Sequence, residues 1–329
     1  MEQLTYSDVK KQSQAVFGQF GHTKWIPFAK ENAGHPNRRD PEELRGCGVG
    51  KILVSVGMGA SLEENLDIIK KYRHKFDLIC PDKAFKPLVE RGVIPDYVML
   101  CDCNIQWPKW GPEGIDTKNI KLIATPYAHV TWTRRWEGPI YFYCNRDAIQ
   151  SENIFLEIMG GKTRMIPASS NVSNAQVVFF TGMDEWTKQT FAGYERIYLV
   201  GYDYSWRPNG NYYAWHDPKP KRYYMHHKTG RDINGDIVYF SENLLFSAKW
   251  LMHYVTAHPS GVINCSGRGL SEVKQGNLEA ELKSIDESRV VSVRTNLETI
   301  KHCKAALDNA IAAFNISREE LCYGSRRSS

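Results

Sequence analysis

The sequence predicts an α/β fold: a Rossmann-like, doubly wound, mostly parallel sheet with a C-terminal helical extension. Three observations point to it. Short apolar runs recur between Ile52 and Val200, helical patterns separate them, and a turn of small residues joins the first run to the first helix. Such near-continuous apolar strands are buried on both faces by crossover helices, which is how parallel sheets are built.

Taken in order, residues 1–46 are polar, with HPNRRDPEE near their end, and read as an irregular N-terminal extension. The body then opens with 51-KILVSVGMGASLEENLDIIKKY-72, a strand over 52–56, a tight turn and a helix over 62–73. DLIC (77–80), a short helix from Lys83 to Arg91 and YVMLC (97–101) continue the alternation. KLIAT (121–125), PIYFYC (139–144), a helix near 171–183 and RIYLVG (196–201) follow. Beyond Asp236, apolar residues at helical spacing from Leu244 to Val255 lead into GVINCS, a last strand. A helical pattern fills 276–321, most clearly over 292–314. The expected organisation is an extension (1–46), a Rossmann-like domain (47–275) and a helical extension with a polar tail (276–329). That tail packs either on the core or on a second subunit, which would make a homo-oligomer.

Composition narrows the function. A chain of 329 residues with 42% apolar, 24% charged and 12% aromatic residues fits a globular protein with a sizeable core and not a disordered chain. No apolar run reaches the roughly 18 residues that span a bilayer, and the N-terminus lacks a signal-peptide core, so a cytoplasmic protein without a membrane span is expected. Its eight cysteines include no C-x-x-C pair, and several sit inside apolar runs, which suits reduced, buried thiols. The sequons at Asn171, Asn264 and Asn315 carry no weight without a secretory route. A net charge of +5 is mild, but 217-DPKPKRYYMHHKTGR-231 is densely basic and aromatic, suiting a polyanion, a phosphorylated small molecule or a solvated loop.

In an open parallel sheet, ligands sit beyond the carboxyl ends of the strands, so the turns after Val56, Cys80, Cys101 and Val200 should face one crevice. Gly57 and Gly59 would let the backbone approach a phosphate, and the helix starting near Ser61 would offer it unpaired N–H groups. Ser61 would be the N-cap, with Glu64 closing a capping box. A dinucleotide fingerprint would need a third glycine where Leu62 stands, which argues against an ordinary NAD site, and no G-K-[ST] follows, so the turn is not a Walker loop. A turn that is tight for structural reasons alone is the alternative.

Four stretches occur in order: 57-GMGASLEENLDIIKKY-72, 82-DKAFKPLVERGVIPDYVMLCD-102, 168-ASSNVSNAQVVFFTG-182 and 197-IYLVGYDYSW-206. With 234-NGDIVYFSENLLFSAKW-250 and 262-VINCSGRG-269, this set resembles the flagellar motility-accessory-factor family, whose shared domain also takes in the archaeal 6-hydroxymethylpterin diphosphokinases. More distantly it is similar to the bacterial CMP-sialic-acid sialyltransferases. The resemblance covers roughly residues 50–272 and implies a nucleotide-activated donor at the Gly57 turn, held by Gly57, Gly59, Ser61, Asp82, Asp102, Ser170, Asn171 and Asp203.

Which part of the donor is transferred turns on further residues. Diphosphokinases need carboxylates to hold Mg²⁺ across phosphates, and this chain has no D-x-D, which favours a metal-independent glycosyltransferase without a cofactor. The resemblance to the sialyltransferases implies that Tyr204 and Tyr213 hold the leaving phosphate and that His227, a better match than His226, is the base for a hydroxyl acceptor. Asp82 or Asp102 is the next candidate base. Met58 replaces an amide side chain of the sialyltransferases, and Pro81-Asp82 follows the motility-factor pattern instead of theirs. Ser170 and Asn171 match a sugar- or phosphate-holding region, or form a plain helix cap. The expected donor is a nucleotide sugar, a CMP-linked nonulosonic acid being favoured. Pyrophosphate transfer from ATP with Mg²⁺ is the first alternative, and noncatalytic nucleotide or nucleic-acid binding through the basic loop the second.

Overall fold

The computed structural model describes residues 21–145, 149–167, 169, 171–182, 190–208, 210–215, 227–258 and 261–285. Two compact units divide the chain, Met1–Ser284 and Ile285–Ser329. All elements below belong to the first. The helical pattern over 292–314 lies outside the described residues, as do Ser170 and His226.

Eleven strands are described: β1 (Arg38–Arg39), β2 (Ile52–Val56), β3 (Asp77–Pro81), β4 (Tyr97–Leu100), β5 (Lys121–Ala124), β6 (Ile140–Asn145), β7 (Arg164–Ile166), β8 (Arg196–Val200), β9 (Lys228–Arg231), β10 (Ile237–Phe240) and β11 (Val262–Asn264). The α-helices are α1 (Ile26–Ala33), α2 (Ser61–Lys71), α3 (Asp82–Glu90), α4 (Trp107–Trp110), α5 (Val130–Thr133), α6 (Ile149–Ile158), α7 (Val172–Thr181), α8 (Glu242–Ala257) and α9 (Leu278–Lys283). Nine strands form one sheet in the order β1-β6-β5-β4-β3-β2-β8-β11, with β7 also on β6, while β9 and β10 form an antiparallel hairpin. Every pairing within the large sheet is parallel. The doubly wound α/β expectation is therefore met.

Burial explains why the apolar runs became central strands. Leu53, Ile79, Met99, Ile123 and Leu199 share one cluster with Val177, Phe179 and Phe180 of α7 and with Leu251 of α8. Their neighbours Val54, Leu78, Val98 and Leu122, which point to the other face, are equally shielded from water. Each such side chain contributes about 1.5–3 kcal/mol by leaving water, and only a sheet covered on both sides uses both sets.

The N-terminal expectation is corrected for its described part. Residues 21–46 are not irregular: α1 forms, β1 pairs in parallel with β6, and Pro41–Leu44 makes a 3₁₀ turn capped by Asp40. Side-chain bonds hold the segment down. Buried Asn32 donates to the carbonyls of Pro126 (2.8 Å) and Ala128 (3.0 Å) and accepts from Thr133, while Trp25 stacks on Tyr127 with ring centroids 4.2 Å apart. At the other end, Leu278 and Leu282 of α9 are buried and Glu281 accepts from Arg196 and Tyr198, so residues 276–284 belong with the sheet. No helix among the described residues is long and apolar enough to cross a membrane.

The chain leaves β2 toward β3, β4, β5 and β6 on one side and later returns to set β8 and β11 on the other. The order reverses between β2 and β8, and a crevice opens beyond their carboxyl ends.

Candidate functional site

Beyond those strand ends lies a cleft of about 340 Å³. All four expected turns line it: Met58 and Gly59 after β2, Asp82 and Lys83 after β3, Cys101 and Asp102 after β4, and Tyr202 to Ser205 after β8. The start of α7 (Asn171 to Ser173), Leu244 of α8 and the pair Tyr212 and Tyr213 complete the wall. Tyr212 and Tyr213 are carried by a segment anchored to the glycine turn and to α2: the Ala214 N–H donates to the Met58 carbonyl at 2.9 Å, and the Trp215 N–H donates to Glu63 at 2.6 Å.

The glycine turn meets protein where a phosphate was expected. A Cβ on Gly57 would lie 2.4 Å from the Gly201 carbonyl oxygen, and one on Gly59 would lie 2.6 Å from Asp203 Cγ and 2.7 Å from that same oxygen. These glycines let the loops after β2 and β8 cross. Gly201 has a φ of +74°, and its carbonyl accepts the Gly59 N–H at 2.8 Å. Ser61 is likewise not the N-cap: it is the first helical residue, after Ala60, and its N–H (2.8 Å) and hydroxyl both donate to Asp203. Glu64 does not close a capping box but pairs with Arg268, whose other guanidinium nitrogen lies 3.6 Å from Asp203. An internal carboxylate therefore takes the helix end that was assigned to the ligand. Gly59 and Asp203 face the cleft, while Gly57 and Ser61 stand outside its lining.

Asp82 is 3% exposed. Burial raises its pKa to about 7, with Asp102 adding to the rise and Lys83 and the backbone N–H groups of Lys83 and Cys101 opposing it. The Lys83 N–H lies 2.7 Å from Asp82 Oδ1. Asp102, at the end of the adjacent strand, is exposed and accepts the Asn104 N–H at 2.7 Å. A carboxyl that titrates near neutrality on a cleft wall can take or give a proton at physiological pH. Among the described residues, no group of three His, Cys, Asp or Glu side chains is placed to hold a metal ion. A cation bound largely through phosphates needs only one or two protein carboxylates.

The tyrosines and the histidine separate. Tyr213 lines the cleft, and its hydroxyl lies 3.4 Å from Lys83 Nζ. Tyr204 lines it too, at a φ of +51°, but its hydroxyl donates to Asn174 of α7 instead of facing the opening. His227 is not among the lining residues. Its ring packs 4.1 Å from that of Tyr239 and 6.3 Å from that of Trp206, and Trp206 in turn meets Tyr212 at 4.9 Å. Asn171 lines the cleft, and its side chain caps α7 by accepting the Asn174 N–H at 2.9 Å.

Sequence reasoning gave no role to Lys83, Asn174 or Arg268. Lys83 gave no signal, because a lysine in the first turn of an amphipathic helix reads as solvent-facing. The β9–β10 hairpin had one, the Asn234-Gly235 pair between two extended runs, with Gly235 at a φ of +85°.

The profile of the family described as "6-hydroxymethylpterin diphosphokinase MptE-like" matches residues 31–209. Among solved structures, the MAf glycosyltransferase from Magnetospirillum magneticum AMB-1 is similar with a TM-score of 0.52 at 15% identity, over 82% of this chain and 42% of that one. At that identity the likeness is one of fold, and the chain spans less than half of that protein's length. No curated protein matches the chain.

Proposed function

The chain belongs to the 6-hydroxymethylpterin diphosphokinase MptE-like family, and from that premise we propose that it is a transferase that takes a nucleotide-activated donor into the cleft between β2 and β8 and uses Asp82 as its general base. The observation that carries this reading is a buried carboxyl placed on the cleft wall, where burial pushes its pKa up to about 7. General bases work best when poised near the operating pH. Asp82 takes this role ahead of His227 because it faces the cleft and His227 does not.

The reaction is glycosyl transfer from a nucleotide sugar to a hydroxyl, with a CMP-linked nonulosonic acid as the favoured donor. The sequence motifs shared with the sialyltransferases support the donor class, and the fold likeness to a glycosyltransferase is consistent with it. Ionised Asp82 takes the proton of the acceptor hydroxyl as its oxygen bonds to the anomeric carbon. The bond from that carbon to the phosphate oxygen breaks with its electron pair on the phosphate, and the nucleoside monophosphate leaves. Turnover should therefore rise as pH passes through about 7.

A second reading, pyrophosphate transfer from ATP, is favoured by one arrangement: Asp82 and Asp102 end adjacent strands at the cleft and lie within electrostatic reach of each other. These two are the residues that would hold Mg²⁺, which would supply positive charge to neutralise the phosphates. Incubating the protein with a CMP-sialic acid, UDP-sugars, or ATP with Mg²⁺ and a hydroxymethylpterin separates the readings. Release of CMP that depends on acceptor and is lost in Asp82→Asn supports the first. Release of AMP with a diphosphorylated product establishes the second.

A further inference from the structure

We propose that Lys83 binds the phosphate of a nucleoside mono- or diphosphate in the cleft, and that Trp110 and Tyr213 hold its ammonium in place for that task. The identity of the ligand rests on the reading above; the anion site itself rests on geometry. Lys83 Nζ lies 5.6 Å from the centroid of the Trp110 ring and 5.2 Å from that of Tyr213, with the Tyr213 hydroxyl at 3.4 Å. Two ring faces thus fix a side chain that would otherwise sample many rotamers, and aromatic faces attract cations. Lys83 is half-buried and lines the cleft, and among the described residues its Nζ forms no ion pair with a carboxylate.

The surroundings keep it charged. Burial works against the ammonium, but Tyr213, Asp82 and Asp102 outweigh it and set the pKa above the ordinary lysine value. A cation pinned on a cleft wall, with no carboxylate among the described residues at ion-pair distance, is arranged for an anion that arrives with the substrate. Phosphate fits better than a carboxylate ligand, because lysine acts as a compact point charge while paired recognition of a planar carboxylate favours the fork of arginine.

Isothermal titration of the full chain with CMP, CDP and inorganic pyrophosphate tests the proposal on wild type, Lys83→Met, Lys83→Arg and Trp110→Leu, with circular dichroism confirming that each is folded. Losing a charge-assisted bond to phosphate should weaken binding roughly 10- to 100-fold in Lys83→Met. Lys83→Arg should keep part of the affinity, and Trp110→Leu should lose less than Lys83→Met. Wild-type affinity should fall as salt rises, and that dependence should flatten in Lys83→Met. If Lys83→Met binds nucleotides as wild type does, the Lys83 assignment is overturned while the donor reading stands. If wild type binds pyrophosphate through Lys83 but no nucleotide, the anion site stands and the donor reading falls. If nothing binds wild type, both fall.

Discussion

Asp203 holds Ser61 twice: one carboxylate oxygen accepts the backbone N–H at 2.8 Å and the other accepts the hydroxyl. Two loops from strands on either side of the sheet's reversal point are tied together by this contact, and Arg268 closes it from behind at 3.6 Å. The carboxylate is 2% exposed, and its burial raises its pKa against the opposing pull of the Ser61 bonds and Arg268. Replacing it by Ala would leave the Ser61 N–H and hydroxyl without their acceptor, while Arg268 keeps Glu64. Asp203→Ala should therefore cost about 1–3 kcal/mol, read as a lower midpoint in urea unfolding. A cost below 1 kcal/mol would mean that the tie is not structural.

The same relationship changes what a substitution in the glycine turn should do. Valine at Gly59 would drive its Cβ into Asp203 Cγ and the Gly201 carbonyl oxygen. Overpacking of this kind costs about 1–3 kcal/mol. Gly59→Val should lower thermal stability in the absence of any ligand. A variant as stable as wild type that has lost nucleotide affinity would return the turn to direct phosphate binding.

Much of the architecture was legible, because strands buried on both faces leave continuous apolar runs and crossover helices leave 3.6-residue periodicity. ILVSV, DLIC and RIYLV became neighbouring parallel strands, and their carboxyl ends met at one cleft as the alternation implied. Two or three residues cannot show a period, so Arg38–Arg39 and Arg164–Ile166 went unseen on the edge of β6. The site was harder to read. Glycines that admit a ligand and glycines that admit a neighbouring loop look alike in sequence, and only Gly201 and Asp203, more than 140 positions away, decide between them at Gly57 and Gly59. The pKa of Asp82 was hidden for a related reason: burial is set by the fold and not by the residues beside it.

Asp82 should make stability depend on pH in an unusual direction for a carboxylate. Its folded pKa of about 7 stands above the ordinary aspartate value of 3.8, so the native state favours the protonated form. The stabilisation is fully present below about pH 3.8 and is lost as pH rises through about 7. Each pKa unit is worth about 1.4 kcal/mol, which sets a ceiling of about 4 kcal/mol. Between pH 5 and pH 8 the unfolding free energy of wild type should fall relative to Asp82→Asn, which has no proton to lose there. Parallel pH profiles for the two proteins would contradict the raised pKa.

Turnover should separate Asp82 from His227. As the base, Asp82 replaced by Asn should slow transfer roughly 10²- to 10⁴-fold while donor affinity changes little, since the base acts on the acceptor's proton. His227 packs on Tyr239 outside the cleft lining, so His227→Ala should keep most of the wild-type rate. Tyr204→Phe should lose its bond to Asn174 and cost about 0.5–1.5 kcal/mol of stability, with no dependence on the leaving group. A His227→Ala variant as slow as Asp82→Asn would place the histidine in the reaction and require the hairpin to move toward the cleft.

Chelation decides between the two chemistries. In glycosyl transfer with Asp82 as base and Lys83 facing the phosphate, no step calls for a divalent cation, so EDTA should leave CMP release largely unchanged. Asp102 then matters little, being exposed at the rim and bonded to the Asn104 N–H, and Asp102→Asn should act as a mild variant. In pyrophosphate transfer both expectations reverse. A cation bridging phosphates needs protein oxygens, and Asp82 and Asp102 are the pair that adjacent strand ends supply. EDTA would then abolish activity, Mg²⁺ would restore it, and Asp102→Asn would raise the Mg²⁺ concentration required. Measuring the metal requirement of wild type and Asp102→Asn with each donor thus tests the assignment of the carboxylates by their effect on each other, and a metal-dependent CMP release would reject the division of labour proposed for Asp82 and Lys83.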